Sequence, residues 1–272
     1  MKSFTTIFGV VLVLFSFYMA WGTHSIHSYE ITLLGLAFVL LSQLPKKMMD
    51  KKTAVRLYFA FVIAGFVVDF LVGLSITQVW YYTYTSWIEY VLLYLYIYPA
   101  GGFVMVWSYL LGLHWLRLDT TTASVSRPLL ILGAVVFGVL GVMILMMTDI
   151  IPLHWPILFF WSSLIAGIFL VMWLSELRHR ESYARDIIAT PFRILFVTLV
   201  ATYLNALIHE LPNVAAPAWV YVIHTNTFLD AFFLGVPYMV WAGWLLLLIG
   251  PVSLLYVVKS RTTPTSLADG HD

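Results

Sequence analysis

The composition of this 272-residue chain excludes a water-soluble globular domain. Hydrophobic residues make up 62% of it and charged residues only 10%, whereas soluble domains carry about 25% charged residues. The formal net charge of +1 says nothing about a polyanionic partner, but the sequence contains no basic patch for nucleic acid, so we expect no nucleic acid partner. Because the chain has no cysteine, disulfides, thiolate metal sites and cysteine nucleophiles are excluded.

Long apolar stretches recur along the chain and predict an all-α, polytopic membrane protein. A membrane-spanning helix needs about 20 apolar residues, because the hydrocarbon core is about 30 Å thick. We predict eight spans, at residues 4–22, 29–45, 56–79, 88–113, 128–148, 154–175, 193–210 and 230–257. The first also resembles a secretory signal, but its length of about 19 residues favours a retained helix.

The basic residues predict the orientation of these spans. In the eight-span topology all 14 lysines and arginines lie on one side of the membrane. They are Lys2, those of the 46–56 and 178–193 loops, Arg117, Arg127, Lys259 and Arg261. Since Lys and Arg concentrate in cytoplasmic loops, we expect a protein of the inner (cell) membrane with both termini cytoplasmic. The polar tail 259–272 is expected to be disordered.

Recurring landmarks predict an internal duplication. Thr53, Arg56 and Trp107 are matched 137 positions later by Thr190, Arg193 and Trp244. Each copy also has an acid near a helix end, an aromatic pair and a proline that enters the next helix. These residues are Asp69, Trp80, Tyr81 and Pro99 in the first copy, and Glu210, Trp219, Tyr221 and Pro237 in the second. The prediction is two parallel four-helix repeats, 1–127 and 128–258, although chance similarity of apolar text remains the alternative.

Ionisable residues in the spans are the first candidates for chemistry, because burying them is costly and usually has a function. Asp69 is the deepest, and Gly65 and Gly73 flank it at one helical turn, which predicts close packing on that face. We assign catalytic roles to Asp69, Glu89, His209 and Glu210. The alternative for Asp69 is a structural hydrogen bond to an indole or a tyrosine hydroxyl.

The seventh predicted span carries a polar stripe of Thr198, Thr202, Asn205 and His209, spaced four, three and four residues apart. In lipid such a stripe must face protein or a water-filled cavity. It predicts either a substrate path or a packing interface, since threonine readily bonds to its own helix. Glu210 follows His209 but is expected to point about 100° away from it.

Aromatic residues make up 17% of the chain, and those of the loops predict a belt at the membrane interface. Tyr94 and Tyr98 lie deeper and need partners for their hydroxyls. Aromatic rings around a buried acid can stabilise a carbocation while the acid protonates an alkene. The residues assigned to substrate binding are Trp80, Tyr81, Tyr94, Tyr98, Asn205, Trp219 and Tyr221.

A metal site is conceivable at His24, His27 and Glu30, with Asp149 and His154 on the same side of the membrane. Histidines in exposed loops are common, however, and we assign neither a metal nor a cofactor to the site.

The order of acid, Trp-x-Tyr or Trp-Tyr-Tyr, and proline resembles the membrane-integral lycopene cyclase domain family and, more faintly, the carotenoid hydratases. The resemblance covers about a third of the chain and implies two similar halves and a carotenoid-type substrate. The residues of this chain that match the family pattern are Asp69, Trp80, Tyr81 and Pro99 in the first half, and Glu210, Trp219, Tyr221 and Pro237 in the second. The paired acidic motif that follows the proline in the cyclases is absent, because this chain reads Pro99-Ala100-Gly101-Gly102 and Pro237-Tyr238-Met239.

Three functions therefore compete at this point. The first is an isomerase- or lyase-type enzyme of carotenoid biosynthesis that binds a lipophilic isoprenoid and uses Asp69 or Glu210 as proton donor. The second is a proton-coupled carrier of a small solute that uses the polar stripe. The third is an accessory membrane subunit whose polar groups only join helices. A membrane lipid or lipophilic small molecule is the expected partner.

Overall fold

The computed structural model describes residues 2–43, 45, 48–117, 155–179, 182–222 and 231–259, and these are mostly helical. The helices are α1 (Lys2–Thr23), α2 (Ser28–Gln43), α3 (Lys51–Gly65), α4 (Trp87–Leu92), α5 (Tyr98–Trp115), α6 (Trp155–His179), α7 (Tyr183–Ala189), α8 (Pro191–Ala215) and α9 (Tyr238–Val258). Short strands are β1 (Trp80–Tyr82), β2 (Trp219–Tyr221), β3 (Phe232–Phe233) and β4 (Val236–Pro237). A π-helical segment, Phe66–Thr77, prolongs α3, and a second, Leu93–Ile97, joins α4 to α5.

Within the described residues, five helical runs are long and apolar enough to cross a membrane. They are Ser3–Thr23, Lys51–Thr77, Trp87–Trp115, Pro191–Ala215 and Tyr238–Val258. Two further apolar helices, Ser28–Gln43 and Ser163–Leu177, are shorter. The 16 residues of α2 extend about 24 Å, less than the hydrocarbon core of about 30 Å. The helical class is thus confirmed, the span at 128–148 lies outside the described residues, and the eight-span count and the repeat stay predictions.

The last predicted span, 230–257, begins later than expected. Strands β3 and β4 pair antiparallel, and both residues of the turn between them have positive φ, 53° at Leu234 and 79° at Gly235. Positive φ at both central residues matches the twist of a two-residue hairpin. Residues 232–237 therefore form a hairpin, and the helix starts at Tyr238 with Pro237 at its N-cap.

Pro99 lies in the first turn of α5, as predicted, but α5 continues the helical run that begins at Trp87, so the proline ring lies within the run Trp87–Trp115. Proline lacks the N–H that would pair with the carbonyl four residues earlier. That carbonyl belongs to Leu95, and the Tyr58 hydroxyl donates to it at 2.7 Å. The adjoining π-helical segment Leu93–Ile97 is the local widening that accommodates the ring.

The described lysines and arginines lie at or beside helix termini on one end of the bundle, which we name the basic end. At this end Arg56 Nη1 donates to the carbonyl of Val258 at 3.4 Å, which joins the start of α3 to the end of α9. The opposite end, which we name the strand end, carries β1 and β2. There His24 Nδ1 lies 3.0 Å from the carbonyl oxygen of Ala215, which joins the end of α1 to the end of α8.

The largest buried apolar cluster lies where α5, α8 and α9 meet and includes Tyr109, Val197, Ala201, Leu248 and Val252. Helix α9 also packs against α6 and α3. Helices α8 and α9 therefore supply much of the protein interior, and the polar groups on their facing sides are buried.

Candidate functional site: two buried carboxylates beside a strand pair

Strands β1 and β2 pair antiparallel at the strand end, with Trp80 opposite Tyr221 and Tyr82 opposite Trp219. A hydrogen bond from Val222 N to the carbonyl of Val79 (2.8 Å) extends the ladder. Successive side chains of a strand point to opposite faces, so Trp80 and Tyr82 share one face, and Trp219 and Tyr221 share one face. The ladder brings together the two aromatic motifs that the sequence separates by 139 positions.

Asp69 forms the first carboxylate centre and is fully buried. Its Oδ1 accepts hydrogen bonds from Trp80 Nε1 at 2.8 Å and from the Tyr82 hydroxyl at 2.9 Å. Its Oδ2 accepts from the Tyr94 hydroxyl at 2.6 Å. The Tyr98 hydroxyl lies 3.0 Å from that of Tyr82 and adds an outer contact. Both oxygens of Asp69 are thus engaged, so a substrate would have to displace a protein donor to reach either one.

Close packing around Asp69 depends on the two glycines that flank it. A Cβ atom on Gly73 would lie 2.4 Å from Cζ2 of Trp80, and one on Gly65 would lie 2.7 Å from Cγ of Tyr98. Such distances leave no room for a side chain, which confirms the prediction that this face of the helix packs closely. The π-helical segment Phe66–Thr77 places Asp69 and Gly73 together on the buried side.

Glu210 forms the second carboxylate centre and is also fully buried. Its Oε1 accepts from the Tyr221 hydroxyl at 2.6 Å and from Trp244 Nε1 at 2.8 Å. The Tyr221 hydroxyl in turn accepts from Trp219 Nε1 at 2.8 Å. Glu210 Oε2 has no hydrogen-bond partner among the described residues. This asymmetry suits a protonated carboxyl group, in which one oxygen accepts and the other carries a proton.

His209 is fully buried beside Glu210. Its Nδ1 lies 2.6 Å from the carbonyl oxygen of Asn205. Because that carbonyl can only accept, Nδ1 carries a hydrogen, and Nε2 of the neutral ring then offers a lone pair. Nε2 has no partner within the part of the chain that the structure describes.

Aromatic rings enclose this second centre. The Tyr29 ring lies 5.1 Å from the His209 ring and 4.9 Å from the Trp219 ring, measured between centroids. The Trp244 ring lies 5.2 Å from that of His209. The π face of such a ring stabilises a positive charge that lies against it.

The strand tyrosines stay protonated and therefore act as donors. Burial, with the negative charge of Asp69 as the next cause, raises the pKa of Tyr82 well above its usual value. Burial likewise raises the pKa of Tyr221 well above its usual value. Neither hydroxyl ionises near neutral pH, so each carboxylate keeps its tyrosine donor.

The structure does not bring two of the predicted site residues to the carboxylates. Tyr81 is 51% exposed, and strand alternation turns Tyr82 toward Asp69 in its place. Glu89 belongs to a capping box at the start of α4, where its Oε2 accepts from Ser86 N at 2.7 Å. Glu89 Oε2 also accepts from Thr85 N at 3.0 Å and from Ser86 Oγ at 2.8 Å, and Nε2 of His27 lies 3.9 Å from Glu89 Oε1.

The polar stripe on α8 is partly satisfied. Thr198 Oγ1 lies 2.7 Å from the Tyr183 hydroxyl, and Asn205 Nδ2 donates to the carbonyl of Ala201 at 2.7 Å. Thr202 Oγ1 has no partner among the described residues, although it is buried. The stripe thus combines packing contacts with one unpaired hydroxyl.

At the proposed metal ligands, His27 Nδ1 lies 3.4 Å from Glu30 Oε1. The described residues contain no group of three His, Cys, Asp or Glu side chains placed to hold a metal ion. Asp149 and His154 lie outside the described residues. A cavity of about 440 Å³ lies elsewhere, near the basic end of α1 and α2, and is lined by Ser3, Thr6, Ile7, Ser42 and Gln43.

Sequence reasoning did not assign Tyr29, Tyr82 and Trp244 to the site. The available signal for Tyr82 was the shared spacing Trp80-x-Tyr82 and Trp219-x-Tyr221. Trp244 was recognised as a repeat landmark, but nothing in its position along the chain predicts an indole hydrogen bond 34 residues from Glu210.

Comparisons with protein-family models, with curated proteins and with solved structures found no match to this chain. The two carboxylate centres are therefore the basis for assigning a function to the chain.

Proposed function

We propose that the chain is an intramembrane enzyme that isomerises a lipophilic, isoprenoid-type substrate by proton transfer. The observation that carries this proposal is the pair of unpartnered, fully buried atoms Glu210 Oε2 and His209 Nε2. Buried polar atoms are normally hydrogen-bonded, and exceptions need an explanation. Two such atoms on adjacent residues, one suited to donate a proton and the other to accept one, have the complementary roles of an acid–base pair.

The reaction that we propose for Glu210 and His209 needs no reagent other than the substrate. Glu210 gives the proton on Oε2 to a carbon–carbon double bond, which leaves a carbocation in the substrate. The rings of Tyr29, Trp219 and Trp244 stabilise that cation through their π faces. His209 Nε2 then takes a proton from a neighbouring carbon, and the double bond re-forms at a new position. The product has the mass of the substrate.

Asp69 takes a supporting role in this scheme. Its three donors reach it from β1 and from the helix that carries Tyr94, and β1 pairs directly with β2, which carries Trp219 and Tyr221. We infer that Asp69 positions β1 and, through the ladder, the strand that supplies one wall and one donor of the Glu210 centre.

The substrate class follows from the surroundings and from the sequence resemblance. The walls of the Glu210 centre are aromatic, and the two helices that carry Glu210 and Trp244 are long and apolar enough to cross a membrane. An acyclic polyene offers both an apolar chain for these walls and a double bond for protonation. The resemblance to the carotenoid-type membrane proteins points to the same class, although the absent acidic motif argues against cyclisation by their route.

We further propose eight spans in two parallel four-helix halves, with both termini on the cytoplasmic side of the inner membrane. The absence of native cysteine makes this easy to test with single introduced cysteines. In intact cells, a membrane-impermeant maleimide should label Thr85→Cys at the strand end and leave Lys52→Cys at the basic end unlabelled until the cells are opened. The reverse pattern would invert the topology.

The first experiment on function is mass spectrometry of the lipids that co-purify with the protein in mild detergent. A stoichiometric isoprenoid or polyene is expected, and its incubation with fresh protein should yield an isomer of unchanged mass. Glu210→Gln should abolish that conversion, and Ser108→Ala, a buried-helix substitution away from the centre, should not. Recovery of bulk phospholipid alone would refute the proposal and favour the carrier or the accessory subunit, which proteoliposome flux then separates.

A further inference from the structure

The proposed reaction leaves the two acid–base groups in the wrong protonation states after each turnover. Glu210 has lost a proton and His209 has gained one, yet no hydrogen bond joins Glu210 Oε2 to His209 Nε2. The site therefore needs a route by which protons leave one group and reach the other. This inference rests on the proposed function.

The polar groups around β2 are already paired and give no such route, although Glu30 Oε2 and the Tyr84 hydroxyl, also at the strand end, have no partner among the described residues. The Tyr221 hydroxyl is engaged by Glu210 and Trp219. Asn213 Oδ1 accepts from Ala218 N at 2.9 Å, and its Nδ2 donates to the carbonyl of Trp219 at 3.0 Å. These bonds close the backbone around β2 over the centre.

Toward the basic end, unpartnered groups lie on the two helices that carry Glu210 and Trp244. Thr202 Oγ1 on α8 and Ser253 Oγ on α9 are both buried and have no partner among the described residues. Thr202 precedes Glu210 by eight residues, and Ser253 follows Trp244 by nine, while Glu210 and Trp244 are hydrogen-bonded to each other. Because α8 and α9 run in opposite directions, Thr202 and Ser253 lie at the same level, about 12 Å from Glu210 along the helices.

One further turn along α8 leads to a polar cluster at the basic end. Thr198 contacts the Tyr183 hydroxyl, and Asp186, on the same short helix α7 as Tyr183, accepts hydrogen bonds from the hydroxyls of Tyr109 and Tyr256. Asp186 is buried, and α7 is followed closely along the chain by the exposed Arg193 at the start of α8. Asp186 thus forms a third buried carboxylate cluster, and the sequence analysis did not assign it.

We propose that ordered water molecules along the α8–α9 seam link the Glu210 centre to the Asp186 cluster and exchange protons with the basic side. Buried water typically makes about three hydrogen bonds to otherwise unsatisfied polar groups. Thr202, Ser253, His209 Nε2 and Glu210 Oε2 are the unsatisfied groups that such a file would serve, with Asn205 between them. The Asp186 cluster is its entrance.

Hydrogen–deuterium exchange measured by infrared spectroscopy tests this route without knowledge of the substrate. The full-length protein in lipid is transferred to D₂O, and the carboxylic-acid band that Glu210→Gln removes is followed in time. The double variant Thr202→Val/Ser253→Ala should slow the exchange of that band by about tenfold, and Asp186→Asn should slow it as well.

The matched control is Thr77→Val/Ser108→Ala. It removes two similar hydroxyls that bond to their own helices, to the carbonyls of Val72 and Val104. It should leave the exchange rate within about twofold of wild type. A band that exchanges equally fast in wild type and in the seam variant would overturn the route while leaving Glu210 as the proton donor. The absence of any band that Glu210→Gln removes, even in acid, would overturn both the donor assignment and the route.

Discussion

Substitution of Gly73 by alanine tests the packing around Asp69 more directly than any change to the acid itself. The added Cβ atom would lie 2.4 Å from Cζ2 of Trp80. The Trp80 side chain cannot easily move aside, because its Nε1 donates a hydrogen bond to Asp69 and its ring forms a T-shaped contact with Phe160 at 4.9 Å between centroids. The substitution therefore forces either overpacking or loss of the Trp80–Asp69 hydrogen bond.

The size of the effect follows from three contributions. Overpacking of a filled core costs about 1–3 kcal/mol, and loss of a hydrogen bond to a charged group costs about 1.5–3 kcal/mol. The higher helix propensity of alanine offsets about 1 kcal/mol. We expect Gly73→Ala to lower the free energy of unfolding by about 2–5 kcal/mol if both costs apply.

The assay is the apparent midpoint of thermal unfolding in mild detergent, scanned at one fixed rate because membrane proteins often unfold irreversibly. Gly167→Ala in α6 is the matched control, since no atom of the described residues beyond its own helix turn lies within 4 Å of its added Cβ. That control should keep or raise the midpoint. If Gly73→Ala unfolds at the same temperature as Gly167→Ala, the close approach of Trp80 to the helix is refuted.

Three further substitutions address the hydrogen bonds. Asp69→Asn should lower the free energy of unfolding by about 1–3 kcal/mol, because its amide N–H₂ meets phenol and indole donors; an unchanged unfolding midpoint would argue against three donors at this site. Tyr82→Phe should lower the midpoint, whereas Tyr81→Phe should change stability by less than about 0.5 kcal/mol, and equal effects would mean that the strand faces are misassigned. Burial raises the pKa of Tyr183 to about 12, so its contribution is complete below pH of about 10 and is lost as pH rises through about 12. Tyr183→Phe should therefore flatten the fall of the midpoint over that interval, and an unaltered pH profile would count against the buried phenol.

The helices could be predicted from the sequence because apolar runs of sufficient length carry their own signal. The glycines beside Asp69 were also informative, because residues one helical turn apart lie on the same face of a helix. The start of the last helix was not predictable from hydropathy, because Phe232 and Phe233 are as apolar as the helix that follows but form a hairpin. Apolar character reports on the surroundings of a residue rather than on its backbone conformation.

The site residues were predictable where local spacing decides their placement and not where tertiary contacts do. Asp69 and Glu210 stand out as isolated acids in apolar text. Strand alternation determines that Tyr82, and not Tyr81, faces Asp69. A strand of three residues is too short for its alternation to be recognised in the sequence. Tyr29 reaches His209 from a helix more than 170 positions earlier in the chain, and only the packing of α2 against α8 shows that contact.

The hydrogen bonds of Asp69 also bear on how the chain enters the membrane. A lone acid at the centre of a span costs about 2.5–3.5 kcal/mol during insertion. All three donors to Asp69 lie within 25 residues of it, so they emerge from the ribosome soon after the acid does. The first half of the protein can thus neutralise its costly residue while the second half is still being translated. Glu210 likewise finds its donors within 34 residues. Each of the two acids therefore has hydrogen-bond donors close to it along the chain, and β1 is synthesised before its partner strand β2.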